Sequence, residues 1–178
     1  MPELAATPGQ TVGPFFHYAL PFDRDRELVP PGSPGSVLLH GHVYDGAGAG
    51  VPDALVEIRQ AGPDGTVPRV EGSFRRPGGR LTGWGRSSTD PAGHYWFSTL
   101  EPAVPFVSVT VLARGLLDRL FTRAYLSPDV DDALLASLDA DERSRLMVER
   151  EADGSLRFDI HLQGDLETPF LTFPGHGR

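Results

Sequence analysis

Residues 104–115, VPFVSVTVLARG, decide how this chain is read. Apolar and small polar residues alternate, which is the period of a strand with one buried face. Val107, Val109, Val111 and Ala113 fall on one face, an unbroken apolar row. Phe106, Ser108, Thr110, Leu112 and Arg114 fall on the other, which begins aromatic and ends in a guanidinium. Arginine suits two chemistries at such a place. One is a salt bridge closing a strand end, the reading the residues alone favour. The other is reception of a carboxylate, because the guanidinium donors form a rigid planar fork.

Working outward, the same alternation recurs. VLLHGHVYD (37–45), ALVEIRQ (54–60), HYWFSTL (94–100), FVSVTVLAR (106–114) and LFTRAYL (120–126) read as strands, with Gly- and Pro-bearing turns between them. LMVERE (146–151), the turn ADG and SLRFDIHL (155–162) read as a closing hairpin. Helix signals are confined to 127–147, where Asp139 followed by Glu142 has capping-box spacing, and two short helices are expected. About eight strands with frequent turns predict a mainly β protein, a mixed β-sandwich. Residues 1–36 carry seven prolines and an aromatic run, TVGPFFHYAL (11–20), and read as a long N-terminal arm preceding a sandwich domain at 37–178. Such an arm wants a surface to lie on, its own or a partner's.

The 178 residues fit one domain with a real core. A formal charge of −8 argues against nucleic acid or an anionic membrane as partner. The absence of cysteine excludes disulfides and thiolate metal sites and suits a cytoplasmic protein. No signal peptide is read at the start, and no apolar run approaches the ~20 residues of a membrane span.

Other candidate chemistry is weaker. His40 and His42 point to one face of a strand and suggest a metal pair, but Asp45 is the only further donor nearby and has the opposite parity. His17, His94 and His161 stand alone in separate elements. Asp129, Asp131 and Asp132 lack the glycine and spacing of a calcium loop and fit a solvated helix start. The Arg- and Gly-rich loop at 66–83 is long enough to be a binding surface, which leaves open a stand-alone sandwich module that binds a ligand or protein.

The run LHGHVYDGAGAGVPDALVEIRQAGPDG (39–65) resembles the signature of the intradiol ring-cleaving dioxygenases, with Leu39, Gly41, Val43, Asp45, Ala54, Val56, Glu57, Gln60 and Ala61 matching. GRSSTDPAGHYWFSTLEP (85–102) resembles a second family segment, and TPGQTVGPFF (7–16) with RFDIHLQGDLETPF (157–170) extends the likeness to nearly the whole chain. That family holds ferric iron with two tyrosines and two histidines. The matching positions here are Val67, Phe106 and Ser108, and the connection at 100–106 has no tyrosine. None suits a ferric ion. The resemblance therefore implies an iron-free, alpha-type subunit of a hetero-oligomer. The ferric iron would sit in a beta-type partner, and this chain would bind none and carry no catalytic residue alone. It implies cleavage of a small carboxylated catechol by O₂, with Arg114 contributing to a substrate pocket at the far end of its strand. Thr11, Gly13, Pro14 and Phe15 match the family's Thr-x-Gly-Pro-aromatic segment, implied to border the same pocket, with Phe15 able only to pack.

Overall fold

The computed structural model describes residues 11–13, 15–69, 76, 78 and 80–173. A single-turn helix α1 (Phe16–Ala19) is followed by strands β1 (Ser36–Tyr44), β2 (Leu55–Arg59), β3 (Trp84–Ser88), β4 (His94–Leu100), β5 (Phe106–Leu112) and β6 (Leu120–Tyr125). Helices α2 (Ala133–Ser137) and α3 (Ala140–Ser144) come next. Three two-residue strands close the chain: β7 (Glu149–Arg150), β8 (Leu156–Arg157) and β9 (Ile160–His161). One sheet runs β4-β1-β8-β7, with β9 also on β1, and the other runs β3-β2-β5-β6. The β1 pairings to β8 and β9 are parallel and the remaining strand pairings antiparallel, so the sandwich is mixed as expected.

The alternation in β5 is realised in full. Val107, Val109, Val111 and Ala113 are buried against Leu39, Val43 and Phe97 of the other sheet, in one core with Val56 and Ile58. Register places Arg59 and Arg123 on either side of Ser108, and Glu57 beside Thr110. The second face of β5 is therefore a charged, partly covered surface.

The last strand of the sequence reading is broken. SLRFDIHL splits into β8 and β9, which pair with β1 in one register, and between them the His42 N–H donates to the Asp159 side chain. The buried Tyr95 hydroxyl donates to the Phe158 carbonyl, and Phe158 N–H donates to the His40 carbonyl. Gly41 allows this approach, since a Cβ there would lie 1.9 Å from the Phe158 oxygen.

The two short helices form as expected. Asp132 caps α2 by accepting from Leu134 N–H, and Asp139 with Glu142 makes the reciprocal capping box of α3. Both flank a small second core of Tyr125, Leu135 and Leu146. Asp132 also accepts from Arg123 and from the Tyr125 hydroxyl. Burial alone would raise its carboxyl, but the Tyr125 hydroxyl and the Leu134 N–H outweigh it and the net shift is downward. Its role in the structure is capping.

From Leu20 onward the arm is tied to the sandwich. Leu28 and Val29 are buried, and both their N–H groups donate to the Ser98 carbonyl. Phe22 stacks on Trp84 at 6.1 Å, and Arg76, from the 66–83 loop, lies over both rings. Among the described residues, no helix is long and apolar enough to cross a membrane.

Candidate functional site

Arg114 lies two residues beyond the end of β5, at the opposite end from Phe106. It lines a pocket of about 430 Å³ together with Val51, Pro52, Asp53, Gly115 and Leu116. A space of that size takes a small organic ligand. The guanidinium is held by Asp53, with Nε 3.1 Å from Oδ1 and Nη2 2.9 Å from Oδ2. The strand-end salt bridge is therefore real, and the same arginine also lines a cavity.

The arm reaches this place. Gly115 N–H donates to Thr11 Oγ1 at 2.7 Å, across 104 positions of sequence. Thr11 is thus brought to the residue next to Arg114. Gly13 follows with open space where a Cβ would be, and its carbonyl accepts from Phe16 N–H. Phe15 caps the start of α1 without a side-chain hydrogen bond and is 79% exposed. Tyr18 is equally exposed, so the aromatic turn faces solvent here. Pro14 lies outside the described residues.

The partner of Arg114 is invisible in the sequence reading. Asp53 sits in a short turn before β2 with φ +58°, a left-handed conformation that Asp tolerates better than most residues. The tripeptide Val51-Pro52-Asp53 announces a turn and nothing more.

At the positions of the family's iron ligands, the side chains do not fit a ferric ion. The Phe106 ring packs 5.6 Å from Tyr125, with the Arg123 guanidinium 4.4 Å above it. Ser108 sits between two cationic strand neighbours, and Val67 is half exposed. The guanidinium groups of Arg59 and Arg123 repel a trivalent cation, and Phe106, Ser108 and Val67 offer it no anionic donor.

The histidines are brought together where the sequence reading left them apart. His94 on β4 stands opposite His42 on β1. The His94 ring centroid is 5.1 Å from that of His42 and 5.8 Å from that of His40. Carboxylates flank them. His40 Nε2 is 2.9 Å from Glu151 Oε2, and the His42 backbone N–H donates to Asp159. His161 stacks on Tyr44. Among the described residues, no group of three or more His, Cys, Asp or Glu side chains is arranged to hold a metal ion.

The cluster has a pH consequence. Burial holds the His94 imidazole below its ordinary value, and His42 and His40 push the same way against Asp90 and Asp159. The unfolded chain therefore takes up more proton than the folded one as pH falls through the ordinary histidine value of about 6.5. Stability rises with pH across that window and is lost on acidification. The variant His94→Gln is expected to flatten the decline of Tm between about pH 7 and 5.5. Thermal melts across that range check it, and an unchanged slope would count against a titrating His94.

No family model matches the chain. Full-length relatives do. The chain is 33% identical over 197 aligned positions to the protocatechuate 3,4-dioxygenase alpha chain of Burkholderia cepacia, covering 96% of this chain and 99% of that one. It is 31% identical to the protocatechuate 3,4-dioxygenase alpha chain of Pseudomonas putida, covering 96% and 98%. Among solved structures, the dioxygenase domain of a dioxygenase–carbohydrate-binding fusion from Streptomyces sp. SirexAA-E superposes with a TM-score of 0.58 at 21% identity, covering 90% of this chain and 99% of that one. An intradiol ring-cleavage dioxygenase from Tetranychus urticae does so with a TM-score of 0.52 at 15% identity, covering 93% and 98%. The solved structures share the two-sheet fold, and the likeness to the alpha chains runs from end to end: this chain belongs to the family of the protocatechuate 3,4-dioxygenase alpha chains.

Proposed function

We propose that this chain is the iron-free alpha subunit of a protocatechuate 3,4-dioxygenase and completes the substrate pocket of a beta subunit. The whole enzyme would cleave protocatechuate with O₂ between its two hydroxyl-bearing carbons, giving 3-carboxy-cis,cis-muconate. The observation that carries the reading is the junction beside the pocket: Thr11 binds Gly115, next to Arg114. Two segments that the family resemblance assigns to one substrate pocket are thereby in contact.

A ferric ion held by the beta subunit would activate the catecholate toward O₂. This chain does not hold it, since Phe106, Ser108 and Val67 offer it no suitable donors. Its own residues have other tasks. Arg114 receives the substrate carboxylate, directly or through a water, and balances its charge. Thr11 fixes the arm against Gly115, and Gly13 and Pro14 carry the chain on to Phe15, whose ring packs as an apolar wall. The arm (1–36) lies against the beta subunit with its exposed Phe15 and Tyr18, and 37–178 form the sandwich domain. The assembly works in the cytoplasm, on a small soluble aromatic and O₂, with neither nucleic acid nor membrane as partner.

The test is iron content and protocatechuate-dependent O₂ uptake, for the chain alone and co-expressed with a beta-type subunit. The expected result is an inactive, iron-free chain alone and a coloured, active complex. Stoichiometric iron and turnover in the chain alone would overturn the reading, as would failure to associate with any beta-type subunit.

A further inference from the structure

We propose that Asp53 is the positioning residue of Arg114 and makes it a carboxylate receptor of fixed orientation. This rests on the pocket reading above. A guanidinium has five N–H donors and two edges on which a carboxylate can sit in bidentate fashion. Asp53 takes the edge made by Nε and Nη2. The remaining edge, made by Nη1 and the second Nη2 hydrogen, stays open for a second carboxylate. The receptor is thus a single planar edge held by a group on the protein side.

Exposure explains why a holder is needed. The Arg114 side chain is 52% exposed and follows the end of its strand, so packing alone does not select its rotamer. A free arginine of this kind loses much of its rotamer freedom when a ligand fixes it. Asp53 is only 18% exposed and sits in the turn between the Tyr44–Gly50 bridge and β2. Fixing Arg114 in the free protein removes part of that cost from ligand binding. The Asp53 charge opposes a second carboxylate in return. The pair therefore exchanges raw attraction for geometry, and selects a ring that presents its carboxylate in the plane of the fork.

The experiment uses the assembled alpha–beta enzyme. Asp53→Gly removes the carboxylate and accepts φ +58° without strain. Asp53→Asn keeps one acceptor for the guanidinium, drops the charge, and is also tolerated at positive φ. Steady-state kinetics with protocatechuate and with unsubstituted catechol are the readout. Asp53→Gly is expected to raise KM for protocatechuate about five- to tenfold, with a much smaller change in kcat and in catechol turnover. Asp53→Asn is expected to recover most of the loss. In an Arg114→Ala background, Asp53→Gly is expected to cause no further rise in KM for protocatechuate, because the group it positions is gone and only its repulsion of the carboxylate is left to relieve.

Two results overturn the assignment. One is an unchanged KM for protocatechuate in Asp53→Gly, and the other is an equal fold-change for both substrates. Arg114→Ala in the same series separates this inference from the reading beneath it. If Arg114→Ala discriminates between the substrates and Asp53→Gly does not, only the positioning role falls. If Arg114→Ala itself fails to discriminate, the carboxylate pocket falls with it.

Discussion

Arg114→Ala in the assembled enzyme is expected to weaken protocatechuate binding by about 10- to 100-fold. A charge-assisted hydrogen bond in a desolvated pocket contributes roughly 1.5–3 kcal/mol, which converts to that range. Unsubstituted catechol has no carboxylate and should lose far less. The substitution spares the fold. The Arg114–Asp53 pair lies at a strand end with Arg114 half exposed, and such pairs contribute about 0–1 kcal/mol to stability. The Asp53 carboxylate left behind is close to solvent in the pocket wall. Affinity or KM measured side by side for the two ligands decides the matter. Equal losses for both would sink the carboxylate role and return Arg114 to a plain strand-end salt bridge.

Arg76→Ala should cost about 2–4 kcal/mol of stability, well beyond the cost of Arg114→Ala. Four hydrogen bonds converge on this one guanidinium. Nε donates to the Arg24 carbonyl and Nη2 to the Asp25 carbonyl, while Nη1 reaches Thr82 Oγ1 and the Trp84 carbonyl. The plane also lies over the rings of Phe22 and Trp84, at 5.0 and 5.6 Å. Arg76 therefore stitches three segments: the arm at 22–25, the 66–83 loop, and the start of β3. Truncation removes four charge-assisted hydrogen bonds and two ring contacts at once, although the Arg24, Asp25 and Trp84 carbonyls keep Glu27 N–H, Arg86 N–H and the Thr82 hydroxyl as donors. Arg76→Lys should recover little, because a lysine ammonium cannot span acceptors arranged for a planar fork. Urea unfolding gives the magnitude, and limited proteolysis near residues 20–28 reports release of the arm. A change under about 0.5 kcal/mol with unchanged cleavage would show that the stitch is redundant.

The loop at 66–83 illustrates how far composition can carry a reading. Its arginines and glycines suggest a basic binding surface. Arg76 instead turns inward and spends its donors on backbone carbonyls, stapling the loop to the arm. Residues 70–75, 77 and 79, in the middle of the same loop, lie outside the described residues. An arginine facing solvent and one facing a cluster of carbonyls have the same sequence signature, since the acceptors come from other parts of the chain.

Local patterning by itself determined most of the strands, though not β3 at Trp84–Ser88, along with which face of β5 is core and where α3 begins. Each of these depends on residues within a few positions of one another. Alternation of period two sorts side chains between faces, and a capping box closes within one helical turn. Family resemblance extended the reading to Arg114, Thr11, Gly13, Pro14 and Phe15, and to positions that cannot hold iron. Only the tertiary structure paired Asp53 with Arg114 across 61 positions, set Thr11 on Gly115, and brought His94 beside His40 and His42. Those contacts follow from strand register and from the path of the arm over the sandwich. Both are settled by the burial of the whole core and by long-range hydrogen bonding, and no periodicity within a single segment encodes them.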